Sequence, residues 1–506
     1  MIGRLVATIR RIPAAGRTCA AIAFVNAVIW AIVIPPFQVP DEISHFGYAQ
    51  YVAEHGRPPP QAAGAPQYSP EQLATMDALR FGVVVGRSDQ RGVWTRADDR
   101  ALRDTLAAGH SPKGEGGASS ATNQPPLYYA LQAVPYWLSP SHDLLTRLLA
   151  MRLLSALLAA GTVLCVYLFL RELLPGTPWA WTVGALAVAF QPLFMFISAG
   201  VHGDTLLFFA SAATLLALAR AWRRGLTVRR GAAIGAATAV GVLGKLTFLA
   251  FLPGIALAVG LLLGRAWQDA RRDARAPRSR ALRAALAGAA AATAIVAVPV
   301  GLYLLMNATA WERDGGATAG VSATVSAAAI PLTQRLGYIW QLVLPPLPGM
   351  QDQFAHYPLW ETFFRGFIGR FGWLDYGFPP RVFTWAGVLF AALAVSALVG
   401  VARAARGWDR ATWRRVLPLV LVFATFVGGL LAAIGWQGVT YHRDTGFTFE
   451  QGRYLLPLLA FYGLLVALAA RGAGRRWGPA VGAALVVLAM AHGLFAELLT
   501  IARYYG

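Results

Sequence analysis

Apolar runs of about 20 residues, the length that crosses a bilayer, recur along this chain from residue 18 to residue 500. Runs that long and that frequent do not fit in the single core of a soluble domain. They read as an all-α polytopic membrane protein, because inside lipid a helix satisfies its backbone polar groups within one segment. The overall balance agrees: 57% of residues are hydrophobic and 13% are charged, about half the charged share of a soluble domain.

Length and breakers place eleven spans, at 18–36, 148–170, 180–199, 204–222, 230–247, 249–266, 284–306, 383–402, 416–435, 453–470 and 477–500. The formal charge is +20, and the arginines collect in short segments between the runs. With eleven spans, the clusters Arg220 to Arg230, Arg265 to Arg283, Arg403 to Arg415 and Arg471 to Arg476 all fall on one side. Arg4, Arg10, Arg11 and Arg17 put the N-terminus there too, and the positive-inside bias makes that side the cytoplasm. Basicity is thus an orientation signal, and nucleic acid is not an expected partner. A basic start before an apolar stretch resembles a signal peptide, but no small-x-small cleavage pattern precedes Pro35, so the segment is expected to remain as the first helix. Cys19 and Cys165 both lie in apolar runs, which predicts neither a disulfide framework nor a thiolate metal site. The Ala- and Arg-heavy usage points to a GC-rich bacterial source, and hence to the bacterial plasma membrane.

The same topology sends three loops, 37–147, 307–382 and 436–452, to the extracytoplasmic side. No internal repeat and no separate soluble domain are expected in 1–506. A loop as long as 37–147 is usually functional. Within it, Gln124-Pro125-Pro126-Leu127-Tyr128-Tyr129 opens an apolar stretch too short to span. It reads as an interfacial or re-entrant helix, with Tyr128, Tyr129, Tyr136 and Trp137 at headgroup level.

Chemistry is expected where the first span ends, in Pro40-Asp41-Glu42-Ile43-Ser44-His45-Phe46. Two adjacent carboxylates beside lipid need a wet, paired or functional setting. Asp41 suits a helix N-cap, with Glu42 favouring the positive helix end. Capping explains one acid better than two, so Asp41 and Glu42 are the catalytic candidates. His45 lies one turn after Glu42, and the two together could hold a divalent cation or simply share a hydrogen bond.

Lys245, one of two lysines in the chain, sits in an otherwise apolar segment. It can snorkel to the interface or hold a lipid phosphate. Asp204, in Ser198-Ala199-Gly200-Val201-His202-Gly203-Asp204, can cap the next helix or serve the site. Arg453, in Gln451-Gly452-Arg453-Tyr454, can pair with Glu450 or clamp a phosphate. In loop 307–382, Arg365 and Arg370 are candidate anion ligands. Together with His45, Gln124, Tyr128, His202 and Asp204, they and Asp375 complete the candidates for substrate contact. No Walker A motif, no dinucleotide-binding glycine pattern and no H-E-x-x-H pair is present, which leaves an ATP-driven machine and a zinc protease without support.

Taken together, Pro-Asp-Glu-x-x-His-Phe after the first helix, Gln-Pro-Pro-Leu-Tyr-Tyr, the outer Asp204, Lys245 and Gln-Gly-Arg-Tyr resemble a bacterial family of integral membrane proteins. That family is allied to the GT-C glycosyltransferases, among them protein O-mannosyltransferases, aminoarabinose transferases and arabinofuranosyltransferases. The resemblance implies a GT-C-like bundle of about eleven helices whose large first loop carries juxtamembrane helices. It also implies inverting transfer from a polyprenyl-phosphate sugar donor to an envelope glycan, lipid or protein. Asp41 would match the catalytic acid and Glu42 the second acid, with Lys245 and Arg453 as donor-phosphate ligands. No second Asp-x-Asp pair and no C-terminal extracytoplasmic domain is seen, so metal use stays open. The rival expectations are a lipid-linked saccharide flippase and a non-catalytic envelope-assembly protein.

Overall fold

The structure is a computed structural model that describes residues 12–60, 66–90, 94–117, 119–272, 276–311, 330–354 and 359–506. Arg4, Arg10, Arg11 and part of loop 307–382 lie outside the described residues. The described part is helical apart from one two-stranded turn, Arg370–Phe371 against Tyr376–Gly377. Nine of its helices are long and apolar enough to cross a membrane. The number is ten if Pro178–Ala189 and Pro192–Ser198, bent by 59° at their junction, count as one span.

The difference from eleven has two local causes. Pro192 lacks an N–H and ends one helix while starting the next, and the Gln191 side chain accepts from the Phe194 amide at the new N-terminus. The expected span at 230–247 is the helix Val228–Gly244, 17 residues long and short for a full crossing. After Gly244 the chain turns extended at Lys245, makes a 3₁₀ turn over Leu246–Phe251 and resumes as Leu252–Arg272.

Outward-facing side chains on the long helices, such as Val298, Leu305, Trp385, Leu398, Leu417 and Val487, are apolar and exposed. An apolar surface of this extent belongs in lipid. Inside, two of the helices touch backbone to backbone. A Cβ on Gly231 would lie 1.8 Å from the Gly288 carbonyl oxygen, and one on Gly235 2.6 Å from that of Ala292. Small residues four apart on both helices, Val228–Gly244 and Ala276–Thr309, permit this approach. Gly231→Ala is expected to destabilise the protein by about 1–3 kcal/mol through overpacking. A thermal unfolding midpoint equal to wild type would show that the helices do not meet there.

The first loop folds onto one end of this bundle. Ile34 leaves the helix Ala14–Val33 in an extended conformation, because the residue before a proline avoids the α region and Pro35-Pro36 follow. A short turn leads to the helix Glu42–His55, which stops at Gly56 in the left-handed conformation, φ 66°. Nearly all of Glu42–His55 is buried. Its Ile43, Phe46 and Ala49 share a core with Tyr128, Tyr129 and Tyr136 of the helix Leu127–Leu138 and with Leu148 and Met151 of the helix Leu144–Leu173. Those tyrosines therefore do not sit at headgroup level as their sequence suggested. The exposed residues of that stretch are instead Ala130, Leu131, Val134, Trp137 and Leu138.

Candidate functional site

Asp41 and Glu42 are neighbours in the chain, but they are used in opposite ways. Glu42 is fully buried and meets Arg152, from the third turn of Leu144–Leu173, in a two-pronged ion pair. Arg152 Nε donates to Glu42 Oε1 at 2.8 Å and Nη2 to Oε2 at 2.6 Å. Its remaining donors reach the carbonyls of Ala31, Ile34 and Pro35. The amides of Phe37 and Val201 fill the other positions on the carboxylate, each at 3.0 Å. All five N–H groups of the guanidinium are thus engaged. With both carboxylate oxygens taken, Glu42 is not available to substrate, contrary to the catalytic part expected of it. It ties the end of the first helix, the start of Glu42–His55 and the 199–203 turn to one arginine.

Asp41 occupies the N-cap position of Glu42–His55 with φ 62°, yet its side chain makes no capping bond. Backbone in this region is uncommon outside glycine, though Asp tolerates it better than most residues. The conformation turns the carboxylate away from the helix and toward Arg453, whose Nη2 donates to Oδ2 at 2.6 Å. The Asp41 side chain keeps 27% of its surface exposed, against 6% for Arg453. Burial pushes the Asp41 carboxyl up. The charge and hydrogen bond of Arg453, with smaller contributions from His45 and Lys245, outweigh that and hold it below its usual value.

Arg453 lies in a 3₁₀ turn, Gly452–Leu458, that opens the helix Leu459–Gly472. Its Nη1 donates to His202 Nε2 at 3.0 Å. On the other side of the ring, His202 Nδ1 faces Asp204 Oδ2 at 3.4 Å. The Asp204 backbone amide donates to Nδ1 at 3.1 Å. The second oxygen of Asp204 takes the Lys245 ammonium.

Lys245 reaches it because the chain breaks at that residue. The following amide, of Leu246, donates to Gln124 Oε1 at 3.2 Å, and the Gln124 carbonyl accepts from the Tyr48 hydroxyl. The His45 ring lies 4.2 Å from that of His202, and its Nδ1 is 2.8 Å from the Tyr129 hydroxyl. Burial, Lys245 and Arg453 together push His45 down to about 3, against the pull of Asp41. Burial likewise holds His202 well below its ordinary value, so both rings are neutral at pH 7.

Five segments far apart in the chain therefore converge: Asp41 and His45, Gln124 and Tyr129, His202 and Asp204, Lys245, and Arg453. Two carboxylates and two cations alternate, with neutral imidazoles between them. Glu42 and His45, which could have held a cation or shared a hydrogen bond, face apart: Glu42 meets Arg152 and His45 meets Tyr129. Among the described residues no group of three or more His, Cys, Asp or Glu is placed to hold a metal ion. Beside Asp41, Pro40, Leu193, Phe196, Leu374, Arg370 and Arg453 line a crevice whose side chains are apolar but for its two guanidiniums and the Gln451 amide.

A family model described as a predicted membrane protein, DUF2142, matches residues 24–462. The chain belongs to this family. The match takes in every residue of the site just described. No curated protein matches. Among solved structures, the oligosaccharyltransferase of Archaeoglobus fulgidus in the apo form is similar, at 14% identity and a TM-score of 0.40, over 96% of this chain and 56% of its own. The same enzyme tethered by a disulfide to an acceptor peptide containing the NVT sequon gives 13%, 0.41, 97% and 55%. The archaeal oligosaccharyltransferase AglB from Archaeoglobus fulgidus, in complex with an inhibitory peptide and a dolichol-phosphate, gives 14%, 0.41, 97% and 56%. The chain spans little more than half the length of these structures.

Several expected site residues stand elsewhere. Tyr128 is buried, with its hydroxyl 3.1 Å from Ser155 Oγ and 2.8 Å from Gln132 Nε2, and it braces two helices. Arg365 pairs with Glu361 one turn away on its own helix and is only partly exposed. Asp375 is taken by Arg503, whose Nε and Nη2 lie 3.1 and 2.9 Å from Oδ2, and by the Trp373 amide. Arg503 also holds the carbonyls of Arg87 and Gln90, so this pair staples the last helix, Gly474–Tyr505, to the first loop. Glu450 does not pair with Arg453. It accepts from the Tyr338 hydroxyl at 2.6 Å, and burial pushes its carboxyl up.

The residues that sequence reasoning missed are Arg152, Arg503 and the role of Tyr129. Arg152 carried a signal: a lone arginine inside an apolar run is expensive unless paired.

Proposed function

We propose that this protein is an inverting glycosyltransferase of the bacterial plasma membrane. It takes a sugar from a polyprenyl-phosphate donor and passes it to an envelope glycan, lipid or protein on the extracytoplasmic face. The observation that carries the reading is the Asp41–Arg453 pair: an accessible carboxylate, ionised at neutral pH, held by a guanidinium that also lines the apolar crevice. A lipid phosphate needs a greasy path ending in a cation, and a hydroxyl acceptor needs a carboxylate within reach. The sequence motifs around Asp41 and Arg453 supply independent support. In this reading loops 37–147, 307–382 and 436–452 share the extracytoplasmic side.

The reaction is a direct displacement. The acceptor hydroxyl oxygen bonds to the anomeric carbon, and its proton goes to Asp41. The bond from that carbon to the phosphate oxygen breaks, and the electron pair leaves with the phosphate. Arg453 joins the two halves: as donor binds, it passes from Asp41 to the phosphate, where charge grows in the transition state. Losing that partner makes Asp41 a stronger base when the acceptor arrives. Arg370, on the same crevice, is the second phosphate ligand. Lys245 is spent on Asp204 and, through it, keeps His202 oriented toward Arg453, so it supports the phosphate site from behind.

The test is release of lipid phosphate from a panel of polyprenyl-phosphate sugars by purified protein. No release from any of them, with or without envelope acceptors, would remove the reading. A pH prediction accompanies it. Asp41 is held below its usual value and both histidines below theirs, so none of these three groups titrates between about pH 6.5 and 8. The profile of kcat/KM should be flat there, and an acid limb near 6.5 would assign the chemistry to a histidine instead. Stability responds to the histidines with a definite sign. His45 falls from 6.5 unfolded to about 3 folded, so its neutral burial supports the fold above 6.5. That support is lost progressively as the pH falls from 6.5 toward 3.

A further inference from the structure

The two-stranded turn beside the crevice carries strain that packing does not offset. Its strands pair Arg370 with Gly377 and Phe371 with Tyr376. Between them Gly372 stands at φ 60°, where glycine is at ease, and Leu374 at φ 66°, where a bulky side chain is rare. Phe37 adopts the same region, at φ 63°, and there the core compensates: it is fully buried and meets Phe46 and Phe81 edge to face. Leu374 lacks such support. It is 40% exposed and belongs to no apolar core among the described residues. Strain of this kind persists only where the surroundings fix it, and it gathers at ligand clamps and switches.

The surroundings are firm on both sides of Leu374. The Trp373 amide donates to Asp375 Oδ1 at 2.9 Å, its indole donates to the Phe37 carbonyl at 3.4 Å, and its ring meets Phe81 edge to face. Asp375 is held in turn by Arg503. Of these three consecutive residues, Leu374 is the one left to move. It lines the crevice with Leu193, Phe196, Arg370 and Arg453, and it is the one exposed residue of that lining, which places it at the mouth. The crevice behind it has room for about one water molecule, and a phosphate group is larger.

We infer that Leu374 closes this phosphate site and makes it selective for lipid-linked phosphate over free phosphate. The inference rests on the reading of Arg370 and Arg453 as phosphate ligands. To reach the two guanidiniums, any phosphate must push the Leu374 side chain out of the mouth. That opens the apolar surfaces of Leu374, Leu193 and Phe196 to water. Free phosphate, strongly hydrated and without apolar surface, leaves them wet. The first isoprene units of a polyprenyl phosphate cover them instead. An obstruction that one ligand offsets and the other does not is selection against the second. The strain at Leu374 acts in the same direction as opening, because a displaced turn is free to relax out of the left-handed region.

The experiment uses the full chain, purified in detergent, with farnesyl phosphate and inorganic phosphate as probes and Leu374→Ala and Leu374→Gly beside wild type. Wild type should bind farnesyl phosphate, with inorganic phosphate a poor competitor. In both variants inorganic phosphate should compete about tenfold more strongly, the obstruction being gone, while farnesyl phosphate affinity changes little. The thermal unfolding midpoint of Leu374→Gly should equal or exceed that of wild type, since glycine tolerates the turn. A lower midpoint would make Leu374 a residue of the fold and overturn the inference. Inorganic phosphate competing equally in wild type and variants would also overturn it, and would leave the transferase standing. Selective binding of farnesyl phosphate, without release of lipid phosphate from any sugar donor, would support the inference and remove the transferase. No binding of farnesyl phosphate by any of the three proteins would overturn both.

Discussion

Asp41→Asn should lower sugar transfer by about 10²–10⁴-fold, the usual contribution of a positioned general base, while the protein stays folded. Asparagine keeps the size of the side chain and one oxygen that can accept from Arg453. It loses the charge and the ability to take a proton. Exchanging a charge-assisted hydrogen bond for a neutral one costs about 1–3 kcal/mol. The helix Glu42–His55 remains anchored through Glu42 and Arg152, so the fold survives that loss. Single-turnover release of lipid phosphate, compared at equal folded concentration, is the measurement. Equal rates would remove Asp41 from the chemistry. Arg453→Lys provides a second reading of the same pair: a point charge retains attraction for the phosphate but loses the hydrogen bond to His202, so donor KM should rise more than kcat falls.

Arg152→Ala should cost about 3–5 kcal/mol, because it leaves Glu42 charged, buried and without its partner. The three carbonyls of Ala31, Ile34 and Pro35 lose their donor as well. The expected result is a large fall in the thermal unfolding midpoint, or failure to accumulate in the membrane. Removing both charges with Glu42→Ala and Arg152→Ala should be milder than Arg152→Ala alone, since no buried charge is then stranded. A double variant no more stable than the single would mean that the carbonyl contacts, not the ion pair, dominate. Glu42→Gln separates structure from chemistry. It should reduce stability yet leave kcat of the folded fraction near wild type, whereas a Glu42 that acted on substrate would lose kcat without losing stability.

The bundle was largely legible in the sequence, because lipid enforces a plain rule of length and apolarity. All eleven expected segments are helical, and the chain departs from the expected count only where Pro192 bends a segment and where Gly244 ends one early. The site was legible in part. Asp41, His202, Asp204, Lys245 and Arg453 stand out as charges or imidazoles beside apolar runs, and the fold brings all five together. Pairing was not legible. Nothing local distinguishes the carboxylate of Glu42, which is consumed by a residue 110 positions away, from that of Asp41, which stays accessible. The tyrosines of 127–138 misled for the same reason. Their composition fits a membrane interface equally well, and only the helices packed over them decide the matter.

The partner of Asp41 lies 412 residues further along the chain. At a translation rate of about 5–20 residues per second, Asp41 is made some 20–80 s before Arg453 emerges from the ribosome. Glu42 receives Arg152 early, so the first loop has an anchor while the later helices are still being inserted. The ionic contact that prepares Asp41 waits for the penultimate helix, and the staple between Arg503 and Asp375 waits for the last. A nascent chain halted between Arg152 and Arg453 would sit in the membrane with its first loop anchored but the Asp41–Arg453 pair unmade, so biosynthesis itself leaves the candidate site unassembled until the bundle is nearly whole.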